Sequence, residues 1–268
     1  MRLLLIRHGE SVDNVAGLYA GSRDSALTNH GVLQAKRLGA HIASRRPVIG
    51  SIAFVFASDL QRAYHTAEAI VEACVSSNPG DAPTATLAVT LAAELREKDF
   101  GASEGKKFGT REDLDGAESS ALMQARAARF LDAYLCPAVA DACNNEAKDV
   151  CIVIVAHGII LNVLLKELLV RYPLTSTLRQ LMAERMSSAH LAPWSNTGVL
   201  QMQLARENDG ELYASIEMTN NLDHLQGLRK TRGGIGSAQF DSRQRTMDSF
   251  FASGSRKRKA EDNGEGSR

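Results

Sequence analysis

The chain begins with MRLLLIRHGES, residues 1–11, in which an apolar run leads directly into charged side chains. The run Leu3–Ile6 has the length and composition of a buried β-strand. Arg7, His8 and Glu10 follow it without a turn sequence in between. Because ligands of parallel α/β folds bind outside the carboxyl ends of the strands, this arrangement indicates a strand that delivers functional groups.

Further apolar runs of strand length alternate with helical patterns along the chain. The other predicted strands are Ile52–Ala57, Thr86–Leu91, Val150–Val155, Val199–Leu204 and Leu212–Met218. The predicted helices are Val32–Ala43, Gln61–Cys74, Ser119–Leu135 and Ile159–Val170. Inner strands that are apolar throughout are typical of a parallel sheet with helices on both faces. We therefore expect a three-layer α/β/α sandwich on a mostly parallel sheet.

Composition divides the chain into two parts. With 268 residues, of which 44% are hydrophobic, it is long enough for one sizeable core. Residues 1–221 hold 21 Lys or Arg and 25 Asp or Glu, whereas residues 222–268 hold ten and six. The later part is also rich in Gly and Ser and has little to bury. We predict a folded domain over residues 1–223 and a basic, largely disordered tail over residues 224–268.

Several classes of protein are not favoured by the composition. The four cysteines form no CxxC pair and no metal-binding spacing, so we expect reduced thiols and no metal site. No apolar run approaches the length of a transmembrane helix, and the first run is too short for a signal peptide. We expect a protein of the nucleus or the cytoplasm that makes no contact with a membrane.

Four predicted strand ends present side chains suited to phosphate chemistry. Arg7 and His8 follow the first strand, Arg62 the second, Glu97 the third and His157 the fourth. Each is unremarkable alone, since a single histidine after a strand is more often structural. Together they suggest one pocket, in which guanidinium groups bind phosphoryl oxygens and an imidazole acts as nucleophile.

The sequence resembles the histidine phosphatase superfamily, in the branch that includes phosphoglycerate mutases and fructose-2,6-bisphosphatase-like phosphatases. The resemblance extends over about residues 1–220. The motifs that carry it are RHGESVDN (7–14), AGSRDSALTNHGVLQA (20–35), SDLQRAYHTAEAI (58–70), LREKDFGASEGKK (95–107), GAESSALMQAR (116–126) and VAHG (155–158).

The resemblance implies a role for each predicted site residue. His8 would be phosphorylated transiently, Glu97 would be the proton donor, and Arg7, Arg62 and His157 would hold the phosphoryl oxygens. The implied substrate-binding residues are Ser11, Asn14, Gly21 and Gly158. The family comparison further implies a phosphoglycerate mutase-like fold and a small phosphorylated substrate, with neither a metal nor a cofactor.

The sequence also suggests roles for residues near the predicted site. Glu104 and Glu118 match family positions and are interpreted as residues that orient the others. In the predicted helix Ser119–Leu135, the amphipathic pattern assigns Arg126 to the polar face and Leu122 to the core.

Hydrolysis and mutase chemistry share the same phosphohistidine, and the sequence favours hydrolysis. Only 60 positions separate Glu97 from His157, where cofactor-dependent mutases have a longer insertion. The motif RHGES also continues with Val12–Asn14 and lacks the Trp usual in those mutases. Against this, His65 stands where many phosphatases have Gln. A phosphoglycerate mutase-type phosphotransferase therefore remains the alternative.

The tail contains a separate signal. It matches the pattern Q-x-x-[ILM]-x-x-[FY]-[FY] at Gln244, Met247, Phe250 and Phe251. This resembles the PIP box, which docks on the sliding clamp PCNA as one apolar-faced helical turn. Residues 256–259, RKRK, resemble a nuclear localisation signal. A chance match, aromatic residues that fold back onto the domain and a solubilising charge run are the alternatives. Direct nucleic-acid binding is not expected, and a protein that is chiefly a PCNA-binding module is a further possibility.

Overall fold

The computed structural model describes residues 1–76, 87–109, 116–144, 150–175, 193–207, 209–231 and 234–241. Within these ranges one sheet contains β1 (Arg2–Arg7), β2 (Ser51–Ala57), β3 (Val89–Leu91), β4 (Val150–Ala156), β5 (Val199–Arg206) and β6 (Leu212–Asn221). The strand order is β3-β2-β4-β1-β5-β6. Strands β3, β2, β4 and β1 are parallel, whereas β5 runs antiparallel to β1 and β6 antiparallel to β5.

Helices connect the strands. They are α1 (Val12–Ala16), α2 (Asn29–Ile49), α3 (Gln61–Ser76), α4 (Ser120–Phe130), α5 (Cys136–Asn144) and α6 (Gly158–Arg171). A π-helical turn, Leu131–Leu135, joins α4 to α5. None of the helices in the described ranges is both long enough and apolar enough to cross a membrane.

The core lies in two layers, one on each face of the sheet. Along β1, Leu3 and Leu5 contribute to one apolar cluster and Leu4 and Ile6 to the other, because successive side chains of a strand point to opposite faces. Helices α4 and α6 supply residues to the first cluster, and α2 and α3 supply the second. All seven residues of β4 are buried. This confirms the predicted three-layer α/β/α sandwich and its mostly parallel sheet.

The bounds of helix α2 and of the third strand differ from the sequence prediction. Helix α2 starts one residue after Thr28, whose side chain accepts a hydrogen bond from the Gly31 N–H, and it extends well beyond the predicted Val32–Ala43. The third strand is only Val89–Leu91, and Thr86 lies outside the described residues.

The predicted positions of Leu122 and Arg126 on α4 are reversed in the structure. Leu122 is 62% exposed, whereas Arg126 is only 8% exposed. The apolar pattern favoured the opposite assignment because it treats every arginine as a surface residue. Arg126 is buried because its guanidinium finds enough hydrogen-bond acceptors inside the protein, as described below.

The first part of the predicted tail packs on the domain instead of leaving it. His224 is buried and bonds through Nε2 to the Thr197 hydroxyl at 2.8 Å. The backbone N–H of Phe240 donates to the Leu27 carbonyl at 3.0 Å. Composition did not indicate these contacts, because their partners are distant in the chain. The domain boundary at residue 223 stays a prediction. Residues 242–268, with both tail motifs, lie outside the described residues.

Candidate active site

A cleft of about 250 Å³ opens at the carboxyl ends of the parallel strands. It brings together most of the residues that the sequence predicted for the site. The cleft is lined by Arg7, His8, Asn14, Leu18, Ala20, Gly21, Arg62, Glu97, Phe100, Phe108, Gly158 and Ile159. Ser11 and His157, the other two predicted site residues in the described ranges, do not line it.

His8 is held as a neutral imidazole. Its ring is only 3% exposed, and Nδ1 lies 2.6 Å from the Gly9 carbonyl oxygen. A carbonyl oxygen can only accept, so Nδ1 carries the proton and Nε2 keeps its lone pair. Burial, followed by the charges of Arg62 and Arg7, lowers the pKa of His8 well below its usual value. The ring is therefore neutral at neutral pH.

Gly9 is required by packing against α2. A Cβ on Gly9 would lie 2.7 Å from the carbonyl oxygen of Gly31 in the first turn of that helix. Its backbone N–H donates to the hydroxyl of Thr66 at 3.0 Å. A glycine beside a phosphate site can let a phosphoryl group approach the backbone closely, but the N–H of Gly9 is already used. The glycine instead lets the loop that holds His8 lie directly against α2 and α3.

Arg62 is fixed within the floor of the cleft. It is 1% exposed, and it donates to the carbonyls of Arg23 at 2.6 Å and Gly21 at 2.8 Å. Its Nε donates to Nδ1 of His157 at 3.2 Å. Burial lowers its pKa to about 10, partly offset by Glu97, so the group stays charged at neutral pH. Two of the five N–H groups of the guanidinium remain available for an anion.

Arg7 has an unsatisfied donor beside the cleft. Its Nη1 donates to the Trp194 carbonyl at 2.6 Å, whereas its buried Nε has no hydrogen-bond partner among the described residues. That Nε lies next to Gly158, where a Cβ would come within 3.9 Å of it. Burial lowers the pKa of Arg7, opposed by the charge of Glu97. An unpaired buried donor is costly, and a bound anion would satisfy it.

His157 lies behind His8 rather than on the cleft wall. The two ring centroids are 4.9 Å apart, and His157 is fully buried. Since Arg62 can only donate, Nδ1 of His157 accepts and the proton is on Nε2, which lies 2.9 Å from the Ser58 hydroxyl. Burial, then the charge of Arg62, lowers the pKa of His157 well below its usual value. In this structure the ring holds Arg62 in place, and both of its nitrogens are occupied.

Glu97 is held at the start of α6. Its carboxylate accepts from the backbone N–H groups of Ile159 and Ile160, both at 3.1 Å, and of Lys98 at 2.9 Å. Negative charge at a helix N-terminus is stabilised by these free N–H groups and by the helix dipole. The carboxylate is therefore fixed on the same cleft as His8.

A buried ion pair supports the segment that contains Glu97. Arg126 makes a two-point contact with the carboxylate of Glu118, at 2.6 and 2.8 Å. Its remaining N–H groups donate to the carbonyls of Glu94 at 2.7 Å, Arg96 at 2.5 Å and Glu97 at 3.2 Å. The sequence predicted an orienting role for Glu118 but missed Arg126 and Ser58. No local pattern shows the carbonyls that Arg126 reaches some 30 residues away in the chain.

Gly21 and Glu104 shape another part of the cleft wall. Gly21 has a positive φ of 51°, and a Cβ there would lie 2.0 Å from Oε1 of Glu104. That carboxylate accepts from the backbone N–H of Ser22 at 2.6 Å and of Phe100 at 3.3 Å. Glu104 thus joins two wall segments, and glycine is needed where the wall passes close to it.

Ser11 and Asn14 form a reciprocal cap at the start of α1. The Ser11 hydroxyl accepts from the Asn14 N–H at 3.3 Å, and the Asn14 side chain accepts from the Ser11 N–H at 3.2 Å. Asn196 donates both to that side chain, at 3.0 Å, and to the His8 carbonyl, at 3.1 Å. Asn14 lines the cleft, while Ser11 is fully buried and acts as a helix cap.

Comparison with known proteins agrees with this geometry. The sequence model of the histidine phosphatase superfamily (branch 1) matches residues 3–202. A Schizosaccharomyces pombe protein described as a probable phosphatase is 31% identical over 257 residues, which cover 92% of this chain and 78% of that one. A probable phosphoglycerate mutase, GpmB of Erwinia tasmaniensis, is 31% identical over 178 residues, 63% of this chain and 75% of its own.

The solved structures show the same fold. Mycobacterial glucosyl-3-phosphoglycerate phosphatase superposes with a TM-score of 0.60 at 23% identity, over 82% of this chain and 98% of that one. A phosphoglycerate mutase from Bacillus anthracis has a TM-score of 0.55 at 19% identity, over 84% and 95%. Since the family match spans well over half of its length, the chain belongs to branch 1 of the histidine phosphatase superfamily.

Proposed function

We propose that the protein is a metal-independent phosphomonoester hydrolase that works through a phosphohistidine on His8. The observation that supports this most strongly is the state of the His8 ring. It is neutral and buried, its Nδ1–H is fixed by the Gly9 carbonyl, and its Nε2 keeps a free lone pair. Arg7 and Arg62 line the same cleft, each with N–H groups free to bind an anion.

In the first proposed step, Nε2 of His8 attacks phosphorus and the bond from phosphorus to the ester oxygen breaks. Protonated Glu97 gives its proton to the departing oxygen, which leaves as an alcohol. The imidazolium that forms keeps its Nδ1 proton, bound to the Gly9 carbonyl. Arg7 and Arg62 stabilise the charge on the transferring oxygens.

In the second proposed step, Glu97 takes a proton from water as that water attacks phosphorus. The bond from phosphorus to Nε2 breaks, which returns neutral His8, inorganic phosphate and the protonated acid. The carboxylate must give up its contacts with the N-terminus of α6 for this exchange.

Two features of the described residues favour hydrolysis over mutase chemistry. A mutase must also bind a second charged group, but the cations that line the cleft, Arg7 and Arg62, both belong to the phosphoryl site. His65, which had favoured a mutase on sequence, does not line the cleft. Its Nδ1 lies 2.7 Å from Glu68, and its side chain is 51% exposed. The mutase alternative is therefore the weaker one.

The test compares the wild type with His8→Ala and a matched control, His65→Ala. We expect phosphate release from phosphomonoesters, unaffected by EDTA, and a loss of at least about 10³-fold in His8→Ala. Reactions with an ester labelled on phosphorus, stopped with alkaline detergent because phosphohistidine is hydrolysed in acid, should trap label on the wild type and on His65→Ala. An unchanged rate in His8→Ala would remove the mechanism. Efficient mutase turnover with little phosphate release would establish the alternative.

A second function is proposed for the tail on sequence alone. The pattern formed by Gln244, Met247, Phe250 and Phe251 would dock on the sliding clamp PCNA, and the run 256–259 would direct nuclear import. The last described anchor, Phe240, lies four residues before Gln244.

Purified full-length protein and PCNA give a direct pull-down test of the tail. Binding should be lost in the double variant Phe250→Ala, Phe251→Ala and kept in the control Phe240→Ala. No binding by the wild type would overturn the proposal. Clamp binding without any phosphatase activity would instead identify the protein as chiefly an interaction module.

A further inference from the structure

The cleft has one wall that the proposed phosphoryl chemistry does not use. Its residues are apolar: Leu18, Ala20, Phe100, Phe108 and Ile159. Apolar surface beside a few convergent polar groups is the usual composition of a site for a small organic ligand.

Contacts between aromatic rings and between backbone groups hold this wall in place. The ring of Tyr19 packs against Phe100, at 4.7 Å between centroids, and edge-on against Phe108, at 4.5 Å. Backbone hydrogen bonds join the segments behind these rings, from the Tyr19 N–H to the Lys106 carbonyl at 2.9 Å and from the Phe108 N–H to the Gly17 carbonyl at 3.0 Å. The rings of Tyr19, Phe100 and Phe108 thus pack together, and backbone hydrogen bonds join the segments that carry Tyr19 and Phe108.

The rim of the wall exposes its apolar side chains. Phe108 is 58% exposed and Ile159 is 39% exposed, although both contact the cleft. Ile159 also follows Gly158 at the start of α6, and its backbone N–H binds Glu97. The apolar surface therefore begins beside the proposed acid, where the leaving group of an ester would project.

We infer that this wall selects the leaving group and that the preferred substrates are phosphomonoesters of aliphatic or aromatic alcohols. The inference rests on the proposed hydrolase function. A sugar would place hydroxyl groups against Leu18, Phe100 and Phe108, whose side chains offer no hydrogen bonds in exchange for water. A phosphoglycerate would also require a cation for its carboxylate, and the cations that line the cleft among the described residues, Arg7 and Arg62, are committed to the phosphoryl group.

The experiment compares kcat/KM for n-hexyl phosphate, glucose 6-phosphate and 3-phosphoglycerate. The first two have the same number of carbons and both release a primary alcohol, so their chemical reactivity is matched. We expect n-hexyl phosphate to be preferred by about tenfold or more. In Phe108→Ala this preference should shrink, mainly through KM, because the ring that contacts the leaving group is gone.

Phe240→Ala is the matched control, since Phe240 is an exposed phenylalanine that lines a different cavity. Ile159→Ala gives a second test if Phe108→Ala fails to fold. A preference for either polar ester, or a hexyl preference that survives in folded wall variants, would overturn the inference while the hydrolase function stands. Absence of phosphate release from every ester would overturn the hydrolase function itself.

Discussion

Replacement of Arg126 by methionine should both destabilise the protein and slow the proposed reaction. The substitution keeps an unbranched stem but removes every hydrogen bond of the guanidinium. The carboxylate of Glu118, only 14% exposed, then loses its partner. The carbonyls of Glu94, Arg96 and Glu97 each lose a donor. Breaking a buried pair by removal of one member costs about 3–5 kcal/mol.

Thermal unfolding measures this loss directly. For a domain of this size, about 1 kcal/mol corresponds to about 2–4 °C in Tm, so the expected fall is about 6–20 °C. Arg126→Lys should be intermediate, since a lysine keeps the charge but cannot make the forked contact. Arg129→Met is the control on the same helix, because Arg129 is exposed, and its effect should stay within about 0.5 kcal/mol.

Kinetics then test whether Arg126 positions Glu97. At a temperature where the variant is folded, kcat should fall by up to about 10²-fold with little change in KM, because misplacement of a proton donor slows the chemical step. A double-mutant cycle with Glu118→Gln should be clearly non-additive, since the two side chains form one network. Stability equal to that of Arg129→Met would refute the energetic argument. Full kcat in a destabilised variant would refute the positioning argument.

Two further predictions follow from the site. In Gly21→Ala the new Cβ would meet Glu104, and the residue would have to keep a positive φ. The free energy of unfolding, measured in urea, should therefore fall by more than about 1 kcal/mol, and kcat/KM should also fall. Wild-type stability and activity would contradict the close approach. His8 and His157 have pKa values well below the ordinary 6.5 in the folded protein. As the pH falls, the unfolded chain therefore binds more protons than the folded protein does. The free energy of unfolding should thus decline below about pH 6.5, by up to about 1.4 kcal/mol per pH unit for each histidine, and His8→Ala should have a shallower decline. A flat profile would show that these rings are not held neutral.

The fold and the principal site residues were accessible from the sequence because each depends on local order along the chain. A buried parallel strand is an apolar run, and the residue after it must lie at the carboxyl edge of the sheet. Arg7 and His8 follow β1 directly, and Arg62 lies in the first turn of the helix after β2. The topology that places β1 and β2 on either side of β4 then brings these side chains into one cleft.

The rest of the site depends on distances that no local pattern contains. The burial of Arg126 is possible only because three carbonyls from another segment meet its guanidinium. His157 follows its strand as predicted, yet it binds Arg62 and Ser58 from behind the cleft. Position 9 requires glycine because the backbone of α2 lies close to it. In each case the deciding partner is distant in sequence.

The charges of the cleft explain how one carboxyl group can serve the proposed reaction in both directions. With both histidines neutral, the ionised groups that line the cleft are Arg7, Arg62 and Glu97, which together carry one positive charge. A phosphate ester dianion reverses that sign, and its negative charge opposes the ionised carboxylate. The proton that the first proposed step requires on Glu97 brings the formal charge of the cleft and the ester together to zero. Once the phosphoryl group is on His8 and the alcohol has left, the carboxylate is again ionised and can accept a proton from water. Neutral histidines are therefore essential to these two steps. A protonated His8 could neither attack phosphorus nor leave the proton for Glu97.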